Sequence, residues 1–112
     1  MIQMTHATPI LLATQPADFR KGLDGFIALC RHSLLQNPRQ EARFVFINKR
    51  KTQVRVLCYD GTGFWLMTKR LSQGTFRGWP TSGDVVSHLT AKQLSQLLTG
   101  QAVATTPPQR VA

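Results

Sequence analysis

Apolar positions along the chain divide it into one helical stripe, several strand-like runs and one capped helix. Thr8 to Ala13 is a short apolar run with strand character. From Phe19 the apolar residues fall at 19, 23, 26, 27, 30 and 34, a single face at helical spacing. Thr14-Gln15-Pro16-Ala17-Asp18 before it reads as the helix start, with Pro16 tolerated in the first turn and Asp18 near the positive end of the dipole. Gly22 and Gly25 then lie inside the helix at about 1 kcal/mol each relative to Ala. Two such costs point to close packing of the helix on a sheet, or to a phosphate approaching there.

After a polar connection from Gln36 to Glu41, the pattern turns to strands. Arg43–Asn48 and Gln53–Tyr59 are rich in Val, Ile, Phe and Tyr, with a tight reversal at Lys49-Arg50-Lys51. Set out as such, Phe44, Phe46, Val54, Val56 and Cys58 share one face, and Val45, Ile47, Leu57 and Tyr59 the other. Asp60-Gly61-Thr62-Gly63 is a hairpin turn signal. Phe64–Leu71 fits a third strand; Phe64, Met67 and Leu71 also fit a short helix, and the turn in front favours the strand. Thr75–Trp79 follows as a returning strand, and Pro80–Asp84 as a loop. Thr90-Ala91-Lys92-Gln93 is a capping box, with Leu89 and Leu94 as a hydrophobic staple. The helix it starts carries Leu94, Leu97 and Leu98 and stops at Gly100. The expected fold is α+β: a small antiparallel meander of four to five strands against one longer N-terminal helix and a short C-terminal helix. Residues 9–100 form that single domain, with a flexible N-terminus over 1–8 and a disordered tail over 101–112.

Charge adds a direction to this layout. The chain has 112 residues, a net charge of +9 and 42% hydrophobic residues, so it is a folded basic domain rather than a basic tail. Such a balance points to a polyanionic partner, nucleic acid before a membrane, because the charge is not arrayed along an amphipathic helix. No signal peptide or transmembrane run is visible, which makes a cytoplasmic location and reduced Cys30 and Cys58 the expectation. Neither cysteine has metal-ligand spacing, and both fall on apolar faces as inert thiols.

Residues 43–80 hold eight of the fourteen Lys/Arg residues and a single acid, Asp60. In a meander, alternate turns lie at one end of the sheet. Pairing across Asp60–Gly63 places Lys69 and Arg70 beside Gln53 and Val54, and a returning strand sets Arg77 opposite Lys69. Lys49, Arg50, Lys51, Lys69, Arg70 and Arg77 then gather at one edge, with Asp60 at the other. That arrangement suits a phosphate backbone; the plainer alternative is a solvated rim that blocks edge pairing. Trp65, Trp79 and Tyr59 are expected mainly in the core, with stacking on unpaired bases a lesser option.

A catalytic centre is not expected. The acids are Asp18, Asp24, Glu41, Asp60 and Asp84, of which Asp18 reads as a helix-start residue, Asp60 as a turn residue and Asp24 as a surface partner of Lys21. The two left are too few for a two-metal nuclease site. His6 and His88 fall on loops without a partner set by any motif. Neither a metal nor any other cofactor is implied.

Thr14–Phe26, Phe44–Arg50, Asp60–Leu71, Gly74–Pro80 and Leu89–Gly100 occur in an order and spacing that resembles the TnpB-type accessory protein of the insertion-sequence-66 transposon family, over roughly residues 9–100. The resemblance implies a small companion of a separate transposase encoded by the same element, with the catalytic carboxylates in that other protein. It adds Arg20-Lys21-Gly22 and Lys69-Arg70-Leu71 as motif positions, and so Arg20 and Lys21 to the nucleic-acid-binding candidates. The family pattern runs Phe-Arg/Lys-Trp-Pro, whereas here Gly78 stands between Arg77 and Trp79. The expected function is a non-enzymatic accessory factor binding DNA within a transposase complex. The alternative is an adaptor that docks on the transposase without touching DNA.

Overall fold

The computed structural model describes residues 8–81 and 83–99. The flexible segment expected before Thr8, His6 within it, the stop at Gly100 and the tail beyond lie outside the described residues. In chain order the elements are β1 (Ile10–Ala13), α1 (Leu23–His32), β2 (Arg43–Ile47), β3 (Gln53–Tyr59), β4 (Phe64–Arg70), β5 (Val86–Leu89) and α2 (Ala91–Leu98).

They form an α+β fold around one five-stranded sheet of order β4-β3-β2-β1-β5. β2, β3 and β4 make the expected antiparallel meander, so Phe64–Arg70 is a strand and not a helix. β1 instead runs parallel to β2, a connection too long for a hairpin, which α1 supplies. β5 closes the far side antiparallel to β1, and His88 lies on it opposite Leu11 rather than on a loop. β1 and β2 are buried along their whole length because the sheet is covered on both faces. Such strands read as continuous apolar runs without alternation. Against one face pack Phe26, Cys30 and Leu34, over Leu11, Phe44, Phe46 and Leu57. On the other, Leu94, Leu97, Phe76 and Trp79 cover Ile10, Leu12, Val45, Ile47 and Val54.

Several expectations are corrected. The faces of β2 and β3 are paired the other way: Phe44 stands opposite Leu57, and Ile47 opposite Val54. A three-residue reversal at 49–51 would have put Val54 with Phe46; the turn in fact holds four residues between Asn48 and Gln53, whose backbones bond at 3.1 Å. One residue more exchanges the faces of the whole following strand.

Helix α1 begins at Leu23, with Gly22 as N-cap, and Asp24 rather than Asp18 is its first-turn acid. The preceding segment is held open by the sheet, through Ala17 N–H on the Ile47 carbonyl at 2.8 Å and a bridge from Ala17 to Asn48. Phe19 still reaches the core, edge-on to Phe26 at 5.4 Å, which is why it fits the helical stripe without being in the helix. Neither glycine admits the sheet closely. A Cβ on Gly22 would meet nothing, and one on Gly25 would lie 2.6 Å from Cβ of Lys21, which folds over the first turn.

Thr75–Trp79 is not a strand. It crosses from the end of β4 beneath the sheet, burying Phe76 and Trp79 on either side of exposed Arg77 and Gly78. Gly78 has φ 71°, a left-handed conformation that absorbs the additional residue and turns the Trp79 ring inward. There the indole N–H donates to the Ala13 carbonyl at 2.9 Å. The C-terminal helix follows expectation. Thr90 and Gln93 form the reciprocal capping box, and Leu89 and Leu94 share one cluster.

Candidate nucleic-acid interface

The turn between β2 and β3 organises the basic end of the molecule. Asn48 Oδ1 accepts from the backbone N–H of Thr52 (2.9 Å) and Gln53 (3.0 Å), and its Nδ2 donates to Thr52 Oγ1 at 3.0 Å. Lys51 takes the left-handed conformation, φ 61°, that a four-residue turn needs to close. Lys49, Arg50 and Lys51 are consequently displayed to solvent on a clamped loop rather than on a loose one. The loop's own carbonyls bind the segment after β4: Leu71 N–H donates to Thr52 (3.0 Å) and Phe76 N–H to Lys51 (2.8 Å).

The expected cations reach this end by different routes. Arg70 stands opposite Gln53 and Lys69 opposite Val54, as the hairpin register requires. Being consecutive, they point to opposite faces. Lys69 turns to the α2 side and donates through Nζ to the Leu98 carbonyl, at the negative end of that helix. Arg77 has no strand to stand on and does not lie opposite Lys69. It stays at the basic end because its neighbour Phe76 is tied to Lys51.

Arg20 lies across a shallow groove of about 480 Å³, shared with Lys49, Arg50, Gln53 and Arg55. Lys21 is exposed beside the start of α1.

Two residues have roles here that the sequence did not indicate. Asp18 belongs to this groove, where it grips Arg20 in a two-point contact, Nε to Oδ1 at 3.0 Å and Nη2 to Oδ2 at 2.8 Å. The Arg20 side chain and backbone N–H, with the charge of Lys49 behind them, hold the Asp18 carboxyl well below its usual range, and the Arg20 guanidinium is raised in turn. The basic end is thus not free of carboxylate; its acid comes from outside residues 43–80 and is already paired.

Arg55 forms part of the groove wall. Its Nη1 donates to the carbonyls of Phe19 (2.8 Å) and Lys21 (3.1 Å), and its Nε to Thr68 Oγ1 (3.0 Å). The guanidinium lies 4.6 Å from the Phe19 ring centre. This cation fastens the chain before α1 to the sheet. The signal was a lone arginine between Val54 and Val56, on the face that also carries Phe46 and Leu57. A charge at such a position needs partners, and carbonyls at the open start of a helix segment supply them.

The opposite end has a different character. Asp60 accepts from Thr62 N–H, Thr62 Oγ1 and Gly63 N–H at 2.9–3.0 Å and from Trp65 Nε1 at 2.7 Å, and these donors depress its carboxyl strongly. Tyr59 packs on Phe64 at 4.9 Å with Arg39 over its ring. With Trp79 buried, the three aromatics do not form one stacking platform.

Cys30 and Cys58 are buried, and burial pushes both thiols up, Cys30 to about 12. Among the described residues, no group of three or more His, Cys, Asp or Glu is placed to hold a metal ion, and no helix is long and apolar enough to cross a membrane.

Comparison with known proteins agrees with this chain's own motifs. A family model described as "IS66 Orf2 like protein" matches residues 8–107. The uncharacterized protein y4jC of Sinorhizobium fredii is 38% identical over 100 residues, covering 89% of this chain and 85% of that relative. The uncharacterized protein y4hO of the same organism is 33% identical over 91 residues, covering 81% and 78% respectively. No solved structure matches the chain.

Proposed function

The chain belongs to the IS66 Orf2-like family, accessory proteins of insertion-sequence transposition, and from that premise we propose that it is a non-enzymatic factor that contacts DNA through its basic end. The supporting observation is the clamped β2–β3 turn. It presents Lys49, Arg50 and Lys51 together, with Arg70 and Arg77 near them, while Arg20 and Asp18 beside the turn offset each other's charge. A fixed cluster of cations loses less freedom on meeting a phosphate backbone than the same charges on a flexible tail. Lys69 and Lys21 are secondary in this scheme, since Lys69 is drawn to the end of α2 and Lys21 lies over the first turn of α1. The transposase of the same element is the protein partner we assign, and the chemistry of strand transfer belongs to it.

Titration of duplex DNA at several salt concentrations tests the proposal. Each phosphate contact contributes a slope of about −0.9 in log K against log salt, so replacing Lys49, Arg50 and Lys51 by Gln should flatten the slope by roughly 2–3. Absence of binding at low salt, or affinity indifferent to salt, would sink the DNA-binding proposal. Retention of the transposase by nuclease-treated protein in that event would favour the adaptor.

A further inference from the structure

Among the described residues β4 is an edge strand, and its sequence is divided in a way that selects one partner. The first half, Phe64-Trp65-Leu66-Met67, is apolar; the second, Thr68-Lys69-Arg70, is polar and basic. Its inner side is committed to β3. Asp60 N–H bonds to Gly63 and Leu71 N–H to Thr52, which by the antiparallel alternation makes 58/65, 56/67 and 54/69 the hydrogen-bonded pairs. The N–H and C=O groups of Phe64, Leu66, Thr68 and Arg70 therefore point away from the sheet. Beside this edge Trp65 and Met67 are 43% and 38% exposed, and Met67 forms one wall of an apolar groove of about 340 Å³ with Val54, Val56, Leu94 and Leu98.

We propose that a second copy of this chain pairs with β4, strand to strand and antiparallel, about a two-fold axis at Met67. In that register all seven residues are matched. Phe64 faces the partner's Arg70 and Leu66 the partner's Thr68, each as a hydrogen-bonded pair formed by the outward-pointing groups. Trp65 faces the partner's Lys69, and Met67 its own equivalent, in non-hydrogen-bonded positions where side chains come closest. Each aromatic ring meets a cation and no cation meets a cation. A parallel in-register pairing would stack Lys69 on Lys69 and Arg70 on Arg70, which is repulsive. Lysines on an edge strand usually discourage pairing; here they forbid the parallel arrangement and complement the antiparallel one. Asp60, hydrogen-bonded to Trp65 at 2.7 Å, adds a fixed negative charge near the place where the partner's Lys69 arrives. The product is a continuous ten-stranded sheet in which the two Met67 side chains lie over the apolar grooves.

Sedimentation equilibrium, in salt sufficient to screen the +9 charge, measures the outcome. Wild type should approach twice the 12.5 kDa chain mass with rising concentration. Met67→Lys puts two ammonium groups face to face on the axis and should return the chain mass, with circular dichroism unchanged. Met67→Cys supplies a separate readout. Cα atoms in such a pair lie about 4.5 Å apart, within disulfide range, so mild oxidation should give a covalent dimer. Thr62→Cys, off the strand, should not cross-link. A wild-type protein that stays at chain mass up to its solubility limit overturns the proposal, and leaves the edge to a strand of another protein. So does a dimer that survives Met67→Lys, or one in which Met67→Cys fails to cross-link. None of these outcomes depends on DNA binding, so the two proposals fail separately.

Discussion

Replacing Asn48 by Ala removes no charge and no core volume, yet it should loosen the basic end. The side chain makes three hydrogen bonds within the β2–β3 turn, to Thr52 N–H, Gln53 N–H and Thr52 Oγ1. At a net 0.5–1.5 kcal/mol apiece, and with water able to reach the freed groups of a half-buried turn, the loss should total about 2 kcal/mol. That corresponds to a fall of about 8–10 °C in Tm for a domain of this size. The effect should spread beyond the turn, since the carbonyls of Lys51 and Thr52 hold Phe76 and Leu71. Amide exchange of Leu71 and Phe76 should therefore speed up together with that of Gln53. Urea denaturation followed by circular dichroism gives the stability term. The DNA titration gives the functional one: weaker affinity at an unchanged salt slope, because the cations remain but must be ordered on binding. A variant within about 0.5 kcal/mol of wild type, with Phe76 exchange unaltered, would refute the account of Asn48 as the clamp of this end.

Trp79→Phe deletes the indole donor to the buried Ala13 carbonyl and should cost about 1–3 kcal/mol in urea, whereas a surface-stacking tryptophan would show almost no loss. The Asp60 carboxyl is depressed in the folded chain relative to 3.8, so its stabilisation is complete above that value and is lost as pH falls through the lower folded one. Asp60→Asn should therefore flatten the acid limb of the stability profile below about pH 4, and a limb of unchanged steepness would count against the loop geometry. With its thiol pushed up to about 12 by burial, Cys30 should resist thiol reagents at pH 8 in the native protein, as should Cys58, and both should react once urea unfolds it. Leu35 is 79% exposed at φ 57°, a conformation that costs a branched side chain about 1 kcal/mol, so Leu35→Asn should be stabilising or neutral in thermal melts.

Local chemistry made much of the fold legible. The Asp60–Gly63 hairpin, the Thr90–Gln93 capping box and the Gln53–Tyr59 strand depend on residues adjacent in the chain, and each appears where its pattern falls. The register of Lys69 and Arg70 beside Val54 and Gln53 followed from that one hairpin. The short strand Val86–Leu89 was missed because four residues with a central Ser-His carry almost no pattern, and only pairing with β1 gives them a structure. The roles of Arg55 and Asp18 in the groove were not legible for a similar reason. Their partners, Phe19, Lys21 and Thr68 in one case and the Lys49–Arg50 groove in the other, are brought to them by the sheet.

Local pattern alone thus specified a basic α+β chain, its hairpin, its C-terminal cap and the approach of Lys69 and Arg70 to the Lys49–Lys51 turn at one end of a meander. Which way each side chain faces was left to packing across the fold. Whether a turn spans three residues or four exchanges the two faces of β3, and whether α1 starts at Phe19 or Leu23 depends on Ala17 reaching the end of β2. Lys69 and Arg77 take their positions from α2 and from Phe76 rather than from each other. Composition and local spacing set which elements can form, because those energies arise between near neighbours. Face, register at the parallel strand and the pairing of Asp18 with a groove depend on contacts across tens of residues, which the chain acquires only by folding.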